Sequence, residues 1–288
     1  MIKVTLHQYI RQFHTKKTAE AYIYTIDKFI KLNPTALKFK YDDIVRYLEQ
    51  LTYEHSNTDY RIRILSAIKK YFDYLVFSGK RNDHPCKNLN IKRSKSQIQV
   101  HKLLTMDELL LLTQRFNRYK YLDVRNQIII LLLIYQGLTS EEIVSLDVSN
   151  IDLDNHTVYV KASKKLRRRT IEMHQSQIDL FQNYIFEIRP KLVKIDTKKL
   201  LINKLGDKMT VDGIHSILEP LNELFPDKEL NPKRVRQSVI SHWLNDRKLP
   251  LEMVMDLSGI KWPSSVLMYK KTNANDQRAI INRFHPLK

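Results

Sequence analysis

Apolar residues recur every three to four positions along most of this chain and alternate with polar ones in one short region only, so the pattern predicts helices nearly throughout. Val4 to Phe13 reads as a first helix. Thr18 opens a second, with Tyr22, Ile26, Phe29 and Ile30 on one face and Asn33-Pro34 ending it. Asp42-Asp43 start a third, whose Ile44, Tyr47, Leu48 and Leu51 share a side and whose acids sit at the positive end. Ser56-Asn57 precede a long fourth, in which Ile64, Ile68, Tyr71, Phe72 and Leu75 repeat until Gly79, a natural helix terminator. Together they predict a small bundle, with Arg61, Arg63, Lys69 and Lys70 on or near its outer faces.

Beyond His84-Pro85 the apolar period vanishes, and Asn88 to Val100 reads as a basic linker fit to lie along a phosphate backbone or simply to be solvated. The period resumes at Leu104-Thr-Met-Asp-Glu108, where Thr105 and Glu108 form a capping box. A buried helix is expected over Arg125 to Gln136, stopped by Gly137, and Thr139 with Glu142 forms a second capping box. Thr157 to Val160 and Arg169 to Met173 alternate and predict a hairpin around a basic turn. Helices follow over Ile178 to Ile188, Val211 to Phe225, Asn231 to Leu244, Leu251 to Leu257, Ser264 to Tyr269 and Ala279 to Phe284. The expected organisation is therefore a helical domain over residues 1–95 and a mainly α domain with a small β-hairpin over 101–288, the linker spanning about 88–100.

Charge changes this picture most. The 288 residues hold 49 Lys+Arg against 31 Asp+Glu, a formal net charge of +18. That surplus favours a polyanion, with nucleic acid as the default partner. It is also clustered: six of the nine residues from Lys161 to Arg169 are basic and none is acidic. A single cysteine, Cys86, rules out an intrachain disulfide and a multi-thiolate metal site. The ten histidines lack metal-binding spacing, so no metal or cofactor is expected. The longest apolar run, Ile128 to Tyr135, is eight residues, too short for a bilayer span. With no signal-peptide core at the N-terminus, a cytoplasmic location is the expectation.

One stretch concentrates candidate chemistry. In Leu230 to Leu244, Asn231 suits an N-cap and Pro232 the first helical position, and Lys233 and Arg236 fall on one side three residues apart. Val239, Ile240 and Trp243 continue as a core stripe, so a cationic pair is carried by a buried helix.

The order of these elements resembles the tyrosine recombinases of the phage-integrase and Xer type over nearly the whole chain. Thr18-Ala-Glu-Ala-Tyr22, Asp43 to Leu48 and Arg63 to Ile68 resemble the family's core-binding (SAM-like) domain. Leu104-Thr-x-Asp-Glu108, Leu132 to Leu138, the lysine-bearing hairpin, the Arg236 helix and Leu257-Ser-Gly259 before Tyr269 resemble its catalytic domain. The resemblance implies a DNA-cleaving and rejoining enzyme that works through a 3′-phosphotyrosyl link without metal or ATP. It implies a clamp around double-stranded DNA, and a homo-tetramer on two sites that exchanges the C-terminal helix over 279–284. Residue by residue, Tyr269 matches the nucleophile, ten positions after Gly259, and Arg236 the second arginine. Lys164 matches the general acid, with Lys165 a rival because the turn length is open. Arg61, Arg63, Lys69, Lys92, Arg93, Lys95, Arg169 and Arg234 are expected on DNA phosphates.

Three positions depart from the pattern. Thr139 stands where the first arginine belongs, Lys233 where a histidine belongs, and Ile260 where a His or Trp belongs, with Trp262 two residues on. Arg167 or Arg168 is the expected replacement for the missing arginine, the alternative being that both grip neighbouring phosphates. Two other readings stay open: a catalytically silent DNA-binding homologue acting as an accessory factor, and a type IB topoisomerase.

Overall fold

A computed structural model describes residues 4–92, 102–114 and 120–270, the side chains of 120 and 121 excepted. The chain divides into two compact units, residues 1–96 and 97–288. Among the described residues the first holds four α-helices, α1 (Leu6–Phe13), α2 (Lys16–Leu32), α3 (Tyr41–Glu54) and α4 (Thr58–Phe77). Its core is the predicted stripe, with Ile26, Phe29, Ile44, Ile68 and Phe72 fully buried. Asn57 Oδ1 accepts the Tyr60 N–H at 3.2 Å and starts α4. Two helix starts fall earlier than expected, α2 at Lys16 after Thr15 and α3 at Tyr41, where Asp43 reaches back to the Lys40 N–H at 2.8 Å.

The expected linker begins late. Leu89 and Ile91 pack against this first core, and Lys69 Nζ donates to the Lys87 carbonyl at 3.0 Å. Residues 88–92 thus belong to the unit, because two apolar side chains in that basic run find a hydrophobic surface. The rest of the linker, with Arg93 and Lys95, lies outside the described residues.

The second unit is mainly helical around a small antiparallel sheet. Its elements are α5 (Met106–Leu111), α6 (Lys120–Ile134), α7 (Ser140–Ser145), β1 (Ile151–Asp152), β2 (Thr157–Val160), β3 (Arg169–Glu172), α8 (Gln175–Gln182), α9 (Arg189–Leu192), α10 (Val211–Leu218), α11 (Pro232–Asn245), α12 (Leu251–Ser258) and α13 (Pro263–Leu267). Both capping boxes form: Thr105 with Glu108, and Thr139 with Glu142. Strand order is β1-β2-β3, with Val158 opposite Ile171 and Val160 opposite Arg169. The two-residue β1 was not expected, being too short to show a period. The expected single helix over 178–188 continues through a π-helical turn, Asn183–Ile188, into α9. Pro190 lacks an N–H for the carbonyl four residues back, and its ring crowds that carbonyl, which favours the wider turn.

The core of this unit runs through Ile128 to Ile134 of α6, Val158, Val160, Ile171, and Val235, Val239, Ile240 and Trp243 of α11. Among the described residues no helix is long and apolar enough to cross a membrane.

Candidate active site

Asn231 Oδ1 accepts the Arg234 N–H at 2.8 Å, so α11 begins where the sequence places its cap. One turn in, Arg236 is only 8% exposed. The buried valine, isoleucine and tryptophan on either side draw the helix inward and carry the arginine with them. Arg236 Nη1 donates to the Gly137 carbonyl, and Nη2 donates to the Ser258 carbonyl at 2.6 Å. Both acceptors lie at chain reversals. Gly137 follows α6 with φ +56°, and Ser258 ends α12 just before Gly259 with φ +70°. The carbonyl end of a helix is its negative end, so a guanidinium is favoured there.

Beside it lies Glu142, 4% exposed. The Thr139 N–H and hydroxyl donate to Glu142 Oε2 at 2.9 and 3.1 Å. Arg169 grips both carboxylate oxygens, Nη1 to Oε1 at 2.6 Å and Nη2 to Oε2 at 3.2 Å, while Arg236 Nη1 stands 3.7 Å from Oε2. Burial works to raise the Glu142 pKa, but Arg169, the Thr139 N–H and Arg236 outweigh it and hold the carboxyl below its ordinary value.

The site expectation for Arg169 is corrected here. Expected on DNA, it is 9% exposed, and its Nε–H donates to the Leu257 carbonyl at 2.9 Å. Strand alternation gives the reason: Arg169, Ile171 and Met173 all face inward, and a guanidinium turned inward needs the carboxylate it meets. Arg167 and Arg168 are exposed instead. The Arg167 guanidinium donates to the Lys261 carbonyl at 3.2 Å, and its backbone N–H to the Gly259 carbonyl at 2.8 Å. The guanidinium on Glu142, beside Arg236, is therefore Arg169's.

Lys164 and Lys165 are exposed at the hairpin tip. That tip is stitched to the loop after Gly259: Leu166 bridges Ile260, and Lys261 Nζ donates to the Lys164 carbonyl at 3.1 Å. Lys233 is exposed on the first turn of α11, and Arg234 is half-buried, 3.8 Å from Glu229. Tyr269 follows α13. It packs against the core, its carbonyl accepts from Asn245 Nδ2 at 2.8 Å, and it is half-buried. Burial raises the phenol pKa, against the pull of the nearby Arg236 charge and a hydrogen bond with Gln237. Ile260 packs on the core, while Trp262, two residues on, is 70% exposed. His242 sits 3.0 Å from Asp246, as a structural histidine would.

In the first unit, Arg61 is half-buried and bonds Thr52 and Thr58, tying α3 to α4, which leaves its head less available than a solvated phosphate contact. Lys69 is engaged at Lys87, whereas Arg63 and Lys92 are exposed. Residues 279–284 lie outside the described residues. Among the described residues no three His, Cys, Asp or Glu gather as a metal site.

A buried arginine, a half-buried tyrosine and a basic hairpin on this scaffold fit the tyrosine recombinase fold, and solved structures agree. The XerH site-specific recombinase bound to difH substrate superposes with TM-score 0.72 at 15% identity, over 91% of this chain and 78% of that one. The Tn1549 transposon integrase in complex with circular intermediate DNA gives 0.69 at 13% identity, over 98% and 100%. The chain is 24% identical over 278 residues to a putative tyrosine recombinase of Caldanaerobacter subterraneus subsp. tengcongensis, covering 94% of this chain and 93% of that protein. It is 25% identical over 248 residues to the tyrosine recombinase XerD of Listeria monocytogenes, over 85% and 82%. Residues 102–276 match the family model of the phage integrases. The chain belongs to the phage integrase family, that of the tyrosine recombinases.

Proposed function

We propose that this protein is a site-specific DNA recombinase that cuts and rejoins double-stranded DNA through Tyr269, serving a mobile element or replicon. The observation that carries the reading is Arg236, buried yet charged, fixed by two backbone carbonyls and acting electrostatically on Tyr269. A phosphoryl transition state gathers negative charge, and a cation fixed beforehand stabilises it without reorganising. In the proposed step the Tyr269 oxygen bonds to the scissile phosphorus and its proton passes to water. The bond to the 5′-oxygen breaks, and Lys164 at the hairpin tip, with Lys165 as its neighbour, donates the proton that oxygen needs. Lys233 adds charge without the acid/base range of a histidine. Arg63, Lys92 and Arg234 would hold backbone phosphates. Rejoining reverses these steps on a second duplex, within a homo-tetramer on two sites linked by residues 279–284.

The test is a duplex nicked near the cleavage site, so that the released fragment diffuses away and the covalent adduct accumulates. Wild type should accumulate it and Tyr269→Phe should not; an adduct with Tyr269→Phe would overturn the assignment. The uncharged Thr139 and the apolar, packed Ile260 favour a second reading, a homologue that binds DNA without cutting it. Binding with no adduct would decide for that one.

A further inference from the structure

The buried cluster holds three ionised groups: the carboxylate of Glu142 and the guanidinium groups of Arg169 and Arg236. Their sum is one net positive charge. Without Arg169 it would be zero, and Arg236 would face, at 3.7 Å, a buried carboxylate robbed of its bidentate partner. A buried carboxylate left in that state draws in the nearest cation. Arg236 would then be spent on Glu142 and not on a phosphate.

Two independent features put the Arg169 guanidinium where it prevents this. Pairing of Val160 with Arg169 turns the side chain inward. Gly259 then leaves room for it, since a Cβ there would stand 2.4 Å from Arg169 Nη1. Thr139, meanwhile, offers Glu142 only neutral donors.

We propose that Arg169 supplies the second positive charge of the site, as a positioning residue that occupies Glu142 and so leaves Arg236 for the DNA phosphodiester. Thr139 can therefore be uncharged without the site losing its net positive charge. The proposal rests on the recombinase reading for its rate effect, though not for its effect on binding.

The experiment compares full-length wild type, Arg169→Met and the double variant Glu142→Gln/Arg169→Met on the same nicked duplex. With the methionine alone, Glu142 captures Arg236. Adduct formation should fall about 100-fold, and the slope of log affinity against log salt should weaken by about one phosphate contact. Removing the carboxylate as well frees Arg236, so the double variant should regain the slope and most of the rate, to within about tenfold of wild type. A purely structural ion pair would show no such recovery. Because the double variant leaves no buried carboxylate without its partner and keeps Arg236 on the Gly137 and Ser258 carbonyls, it tests the idea even if Arg169→Met alone fails to fold. A folded double variant still about 100-fold down, or an Arg169→Met protein with unchanged slope and rate, overturns the proposal. Absence of adduct in wild type sinks the recombinase reading alone, and the salt slopes then decide on Arg169.

Discussion

Gly259→Ala isolates the closest approach in the candidate site. At φ +70° an alanine is held in the left-handed region, which costs about 1–2 kcal/mol. The larger effect is steric. The new Cβ would lie 2.4 Å from Arg169 Nη1, 3.0 Å from its Cζ and 3.2 Å from the Arg167 carbonyl oxygen. The carbonyl is backbone, tied into the Arg167–Gly259 hydrogen bond, so the guanidinium has to give way. Its bonds to Glu142 and to the Leu257 carbonyl then break or stretch, and opening a buried ion pair costs about 3–5 kcal/mol. The sum, about 4–7 kcal/mol, would lower the melting temperature of the second unit by about 10 °C or more. Gly79→Ala is the control: its φ is +69°, but nothing lies within 4 Å of its Cβ. It should cost the first unit the backbone strain alone, about 1–2 kcal/mol. Thermal and urea unfolding of both variants, followed for each unit separately, gives the comparison. If Gly259→Ala is no more destabilising than Gly79→Ala, the packing of Arg169 against Gly259 is not the constraint described.

Further outcomes follow from the same cluster. Glu142 titrates below its ordinary value when folded, so its stabilising contribution is whole above the unfolded value of about 4.3 and disappears as pH falls through the folded one. The stability gap between wild type and Glu142→Gln in urea should therefore be wide at neutral pH and narrow in acid; a constant gap would contradict the pairing. Arg236→Lys cannot reach both the Gly137 and Ser258 carbonyls in a planar fork, and adduct yield should drop by about 100- to 1,000-fold with duplex binding kept, as gel-shift and trapping assays would show. Tyr269 should ionise above the ordinary tyrosine range, because burial disfavours the phenolate. An ultraviolet difference titration of wild type against Tyr269→Phe reads this directly, and a phenolate appearing below that range would refute it.

The helices were legible because their ends are written in local chemistry. Thr105 with Glu108, Thr139 with Glu142 and Asn231 before Arg234 all make the cap bonds their spacing implies. The burial of Arg236 was legible too, because the apolar stripe runs on from it. Arg169 was missed although a signal existed: in a strand of period two it shares a face with Ile171 and Met173, both buried. Three consecutive arginines in a basic turn hid that alternation. Other features depend on contacts far along the chain and leave no local trace. Gln136 and Gln177, for example, exchange two amide hydrogen bonds at 2.8 and 2.9 Å inside the core. Nor does anything local reveal that Leu89 and Ile91 fasten the start of a basic run to the first core.

Thr139, standing where the family resemblance expects an arginine, invites the conclusion that the site has decayed, but a site's charge belongs to the cluster and not to one position. Thr139 keeps the cap of α7 and still donates to Glu142, so what its uncharged side chain removes is a cation and not a structural bond. The cation enters from β3 instead, in a direction set by sheet register and in space left by a glycine. Arg236, for its part, is fixed by the ends of two other helices, α6 and α12. Decay that relaxed selection at Arg169 or Gly259 would leave a carboxylate buried against Arg236 and destabilise the fold as well as the chemistry. On the proposed recombinase reading, stability and phosphate recognition are thus coupled through the same three side chains, which ties retention of the fold to retention of a positively charged site.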